Sequence, residues 1–166
     1  LIDGDVSDND MSNLYNNPKV KAMISLTKGE GFGRPLLEFS LTGKPIIASA
    51  WSGQIDFLSS ELSILVGGTL DKVHPSAASK DMILTEAQWF TPNSIEVGRA
   101  YKAVYKHYNK VLKNSRKQGY NNKSNFSLDK MIEHFGHILD NRLPEFPKQV
   151  EFNLPELNLP KIQTNE

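Results

Sequence analysis

The chain contains no cysteine, which removes disulfides and thiolate metal sites and fits a reducing, cytoplasmic setting. It has no charge surplus either: 19 lysines and arginines face 19 aspartates and glutamates. A balanced chain is a poor match for nucleic acid or an anionic membrane, both of which recruit a basic surface. No apolar run approaches the roughly 20 residues that span a bilayer. The start does not resemble a signal peptide, and no long internal repeat is present. What remains, 166 residues of which 39% are hydrophobic and 23% charged, is enough for one domain with a real core.

The chain opens on "LI" before the acidic turn "DGDVSDND". That beginning reads as the end of a strand whose start lies upstream, so a piece of a longer protein is expected. A short helix is predicted over 8–16, with Ser7 or Asp8 as its cap and Met11, Leu14 and Tyr15 facing inward. Pro18 separates it from "VKAMISL", residues 20–26, an apolar run typical of a strand covered on both faces. Pro35 then opens a helix that Thr42-Gly43 closes. "KPIIAS", residues 44–49, is the next strand, "WSGQIDFL" a loop into a short helix, and "LSILV", residues 62–66, a third strand. Strands and helices alternating at this spacing predict an α/β fold, a Rossmann-like parallel sheet flanked by helices.

Further along, apolar residues recur at helical spacing over 97–112, from Val97 to Leu112. Ser127 caps a second amphipathic helix carrying Leu128, Met131, Ile132, Phe135, Ile138 and Leu139 on one face. The polar stretch between them, "NSRKQGYNNKSN", is expected to be a surface loop. Residues 1–142 form the expected folded domain. Residues 143–166, where proline recurs every few positions, are expected to be an extended tail.

One stretch stands out chemically: "TKGEGFGRPLLEFSLTGKP". Glu30 lies within a turn holding Gly29, Gly31 and Gly33, and Glu38 follows on the helix. In an open parallel sheet, ligands sit beyond the carboxyl ends of the strands, where this turn falls. Glycines admit a ligand close to the backbone, and the following helix aims free N–H groups at it, which suits a phosphate. Carboxylates beside it would repel phosphate but accept hydrogen bonds from a vicinal diol. Together they suggest a ligand carrying both phosphate and sugar.

The segment Glu30-Gly31-Phe32-Gly33-Arg34-Pro35-Leu36-Leu37-Glu38 resembles the Glu-x7-Glu signature of retaining glycosyltransferases of the GT-B fold, the group-1 and glycogen-synthase-like type. The likeness continues into "VSDNDMSNLYNNPKVKAMISL" before it, "LTGKPIIASAWSGQIDFL" after it and "FSLDKMIEHFGHIL" near the end. The resemblance implies the C-terminal, donor-binding domain of such an enzyme. It implies Glu38 on the ribose hydroxyls, and Glu30 beside the transferred sugar and the positive charge developing at its anomeric carbon. The amides of Gly31, Phe32 and Gly33 would hold sugar or phosphate oxygens. No cofactor or metal is implied, only a nucleotide-diphosphate sugar as donor.

This sequence departs from the family in two respects. The arginine and lysine that neutralise the leaving diphosphate normally lie upstream of these residues, as does the acceptor-binding domain, so this chain alone is not expected to catalyse transfer. Lys28 and Arg34, flanking the turn, are the candidates for the neutralising role. Any attachment to a membrane is expected to pass through the missing domain. Ser52 and Gly53 lie on a second loop at the same sheet edge and are candidates for touching the donor, with Trp51 as a candidate cleft wall.

Other patterns point less far. "DGDVSDND" alternates like the start of an EF-hand but has Asp8 and Leu14 where that loop needs glycine and glutamate. His134 and His137 lack an evident third ligand. Asn122 and Asn125 begin N-glycosylation triplets with no export signal beside them. Two rival readings stay open: a non-catalytic nucleotide-binding or interaction module, and a sugar-nucleotide epimerase of similar architecture.

Overall fold

The computed structural model describes residues 4–79 and 82–144. The Pro-rich stretch from residue 145 and the "LI" at the start lie outside the described residues. Three parallel strands, β1 (Met23–Ser25), β2 (Ile46–Ser49) and β3 (Ile64–Val66), form a sheet in that order. Met23 pairs with Ile46, and Ile47 with Ile64. Helices α1 (Asp8–Asn16), α2 (Arg34–Ser40), α3 (Ser94–Lys106), α4 (Tyr108–Asn125) and α5 (Leu128–Arg142) accompany it. The expected α/β architecture, a parallel sheet flanked by helices, is what the chain adopts.

The central strand shows how the layers divide. All four residues of β2 are buried, and successive side chains of a strand point to opposite faces. Ile46 and Ala48 join Leu36, Phe39, Phe57 and Leu58 on one side of the sheet. Ile47 joins Val66, Ala100 and Val104 on the other. A continuous apolar run is therefore the right signature for this strand, since neither face meets water.

Local chemistry sets the helix ends. Ser7 accepts a hydrogen bond from the Asp10 amide at 3.2 Å and starts α1. Asn93 caps α3 through the amides of Ile95 and Glu96. Ser127 caps α5 through the Lys130 amide. At the far end of α1, the Lys44 ammonium donates to the Tyr15 and Asn17 carbonyls at 2.6 and 2.8 Å. Gly43, at φ 68°, takes the left-handed conformation that ends α2.

Two expectations are corrected. The helical pattern over 97–112 is two helices, broken at His107, whose backbone (φ −124°, ψ 35°) leaves the helical region. The break lets α3 cover the Ile47 face while α4 goes on to pack against α2. The expected polar loop over 114–125 is the body of α4. Its buried side is polar: Ser115, Gln118 and Asn122.

Those polar residues are all partnered. Gln118 accepts from the Ser59 amide at 2.8 Å and donates to the Phe57 carbonyl at 2.6 Å and to Asn122 at 2.9 Å. Asn122 in turn donates to Ser40 Oγ at 2.8 Å. The Asn122 amide, which begins a glycosylation triplet in the sequence, is thus engaged in the interior.

Beyond the expected elements, a two-stranded antiparallel hairpin pairs β4 (Gly68–Lys72) with β5 (Gln88–Pro92). By contrast, α5 forms as expected, yet Leu128, Met131, Ile132, Phe135 and Ile138 on its apolar face remain exposed.

Candidate functional site

The glycine turn follows β1 and runs into α2 through Gly33, whose φ of 86° is the left-handed geometry glycine permits. Pro35 occupies the first turn of α2, where a missing N–H is harmless. The Gly33 carbonyl accepts from the Leu36 and Leu37 amides at 2.9 and 3.2 Å. The amides of Gly31, Phe32 and Gly33 have no hydrogen-bond partner among the described residues. Among the described residues, three consecutive donors thus stand free on one turn.

The second loop is stitched to this turn. Ser52 Oγ accepts from the Glu30 amide at 3.0 Å and donates to the Glu30 carbonyl at 2.5 Å. The Gly53 amide adds a bond to the same carbonyl at 3.1 Å. The contact is so close that a Cβ on Gly53 would stand 2.4 Å from the Gly31 carbonyl oxygen. Ser52 is the one non-glycine residue of positive φ among those described, at φ 75° and ψ −161°. That region is essentially reserved for glycine and costs a serine about 1–3 kcal/mol. Strain held by three hydrogen bonds fixes the relative height of the two loops.

Behind the turn lies Gln54, fully buried, its amide nitrogen donating to the Ser49 carbonyl at 3.0 Å. Its carbonyl oxygen, like Thr27 Oγ1, is buried with no partner among the described residues. An orphaned buried acceptor costs about 1–3 kcal/mol.

The two glutamates have different surroundings. Glu30 is half-buried, held by its backbone against Ser52, and its carboxylate makes no hydrogen bond to the described residues. Glu38 is exposed and pairs with Arg34 Nε at 3.1 Å, one turn away on the same helix. Such surface pairs contribute only about 0.3–0.5 kcal/mol, so a ligand could displace it cheaply. Together, Arg34 and Glu38 line a groove of about 400 Å³ between α1 and α2, with Asp8, Met11, Tyr15 and Asn16 opposite them. Burial, with the Glu38 charge second, raises the Tyr15 phenol above its ordinary pKa, and Arg34 partly offsets this.

Lys28 and Phe32 are steered by aromatics. The Lys28 ammonium lies 3.9 Å above the ring of Trp89 on the hairpin, a cation–π contact of about 0.5–1 kcal/mol at such an exposed site. Phe32 packs against Phe57 and Phe126, with ring centres 5.1 and 6.1 Å away. The hairpin is fastened to the turn as well: the Phe90 amide donates to the Lys28 carbonyl at 3.0 Å, and Phe90 stacks on Trp51.

The structure therefore brings Glu30, Gly31 and Phe32 against Ser52 and Gly53, and joins Arg34 and Glu38 with α1. It draws Lys28 toward Trp89. Tyr15, Trp89 and Phe90 were missed as neighbours of the site. The signal for the last two was the aromatic pair in "QWFT", which no short turn links to a partner strand. No group of three or more histidine, aspartate or glutamate side chains able to hold a metal ion forms among the described residues. Nor is any described helix long and apolar enough to cross a membrane. No protein-family model, curated protein or solved structure gives a match to this chain.

Proposed function

We propose that this chain is the donor-binding part of a retaining glycosyltransferase that uses a nucleotide-diphosphate sugar. The observation that carries the reading is the row of three amides, at Gly31, Phe32 and Gly33, without a partner among the described residues and lying between Glu30 and Glu38 in the chain. The amides are donors suited to the oxygens of a diphosphate or sugar. Glu38, freed from its surface pair with Arg34, would accept from the two ribose hydroxyls, and the α1–α2 groove beside it would receive the nucleoside.

At the other end of the donor, Glu30 would face the transferred sugar. As the bond from the anomeric carbon to the diphosphate oxygen breaks, positive charge grows on the ring and negative charge on the leaving group. The Glu30 carboxylate would stabilise the first, and the amides of a turn held to Ser52 and Gly53 the second. Lys28 and Arg34 add positive charge on either side of the turn. The acceptor oxygen would bond the anomeric carbon on the face the diphosphate leaves, its hydroxyl proton passing to the departing diphosphate oxygen, which completes the reaction with retention, the acceptor being held by another domain.

Calorimetric titration of UDP and GDP into the wild type and Glu38→Ala tests this. Removing a charge-assisted pair of hydrogen bonds should weaken nucleotide binding about tenfold or more. Equal binding by the two proteins, or none at millimolar nucleotide, overturns the proposal.

A further inference from the structure

Trp51 is a large aromatic side chain that stays 40% exposed on a loop otherwise fixed residue by residue. On one side of it the Ala50 amide donates to the Val66 carbonyl at 2.8 Å. On the other, Ser52 and Gly53 are bound to Glu30. The indole itself lies parallel to the Phe90 ring, at an interplanar angle of 5° and a centroid separation of 6.1 Å. That separation makes the stack offset, so Phe90 braces the indole without covering it.

Tryptophan, being large, is seldom wholly buried, so what sets Trp51 apart is exposure together with bracing. It is braced on its backbone and on its ring, and still faces water. The strained Ser52 beside it belongs to the same device, because its backbone sets the direction in which the chain leaves Trp51. Strain and rigidity of this kind gather at ligand clamps, and loops on a rigid scaffold are where binding residues concentrate.

We infer that Trp51 is a stacking platform for a pyranose ring. This rests on the donor reading above. A pyranose presents a face of C–H groups with partial positive charge, which complements the negative face of an indole. The order of parts along the donor selects sugar over base. Glu38, the ribose contact, opens to the α1–α2 groove, so the base belongs there. Trp51 neighbours the residue that holds Glu30, at the sugar end.

The chain has two tryptophans, so Trp89→Phe leaves Trp51 as its sole indole reporter. UDP, GDP, UDP-glucose, GDP-mannose and methyl α-glucopyranoside are titrated into that variant while Trp51 emission is followed. Calorimetry with the wild type, Trp51→Phe and Trp51→Ala runs in parallel, with circular dichroism confirming that each is folded. The expected result is that a nucleotide sugar changes the emission while its nucleotide alone does not. Trp51→Ala should then lose roughly threefold to tenfold in affinity for the nucleotide sugar, with nucleotide affinity unmoved and Trp51→Phe in between.

An emission change of equal size with the nucleotide alone overturns the platform in favour of base stacking. Unchanged nucleotide-sugar affinity in Trp51→Ala overturns it too, and in both cases the donor reading survives. Quenching by the glucoside without any nucleotide binding keeps the platform and overturns the donor reading. Silence from every ligand overturns both.

Discussion

A methyl group on Gly119 would stand 2.5 Å from the carbonyl oxygen of Ser40. The two residues mark a close crossing of α4 over the end of α2. The obstructing atom is backbone, so no rotamer change relieves the clash. Gly119→Ala should therefore destabilise the protein by about 1–3 kcal/mol even though alanine is the better helix former. A lowered urea midpoint checks this; an unchanged or raised one refutes the crossing.

Gln118 gives a second test of the same region. Gln118→Ala strands the Phe57 carbonyl and Asn122 Oδ1 in the interior and takes the partner from the part-buried Ser59 amide. A loss of about 2–5 kcal/mol is expected. Replacing its exposed neighbour Lys117 by alanine should shift stability by no more than about 0.5 kcal/mol. Similar effects of the two substitutions in chemical denaturation would mean that 114–125 is the surface loop its composition suggests.

At Ser52 strain and hydrogen bonding can be separated. Ser52→Ala keeps the unfavourable φ and loses both Glu30 contacts of the hydroxyl, so it should cost about 1–3 kcal/mol. Ser52→Gly loses the same contacts but relieves the strain, and should fall within about 1 kcal/mol of wild type. Alanine must be the worse of the two. The reverse order in matched unfolding curves would remove strain as an explanation.

The Tyr15 phenol supplies a pH dependence. Burial, and then the Glu38 charge, raise its folded pKa above the ordinary 10.0. A raised folded pKa contributes stability that is whole below pH 10 and disappears as pH climbs through the folded value. Wild type should thus exceed Tyr15→Phe by less at pH 11 than at pH 9. The lowered pKa of the Lys44 ammonium, due first to burial and then to Lys21, acts with the opposite sign in this range, so the difference between the two proteins is the quantity to measure. Glu38→Gln should bring the Tyr15 titration down, as read by phenolate absorbance. If the titration stays put, Glu38 and Tyr15 do not share a groove.

Much of the architecture could be read from residue patterns. "VKAMISL" announced a strand covered on both faces, yet Ile24 of β1 stays exposed, and it is β2, read only as the next strand, that is buried on both. Ser7, Pro35, Gly43 and Ser127 marked helix ends through their own capping chemistry. The glycine turn was visible because glycine, glutamate and proline carry conformational and chemical meaning at single positions. The second half of α4 was illegible because its inward face is Ser115, Gln118 and Asn122. A pattern search for apolar periodicity sees nothing there, although i, i+3, i+7 spacing is present in polar form. The β4–β5 hairpin escaped because residues 73–87 separate its strands, and no compact turn announces the pairing. The contacts of Trp51, Trp89 and Lys28 were hidden for the same reason, since they exist only once that hairpin closes over the turn.

The hydrogen-bonded chain from Ser40 through Asn122 and Gln118 to Phe57 and Ser59 permits one alignment only. Oiled surfaces can slip past one another; sliding α4 by a single residue would break its bonds to Ser40, Phe57 and Ser59 at once. Ser40 closes the same short helix that starts at Arg34, directly after the glycine turn. The far helix thereby registers α2, the helix into which the glycine turn runs, from its opposite end.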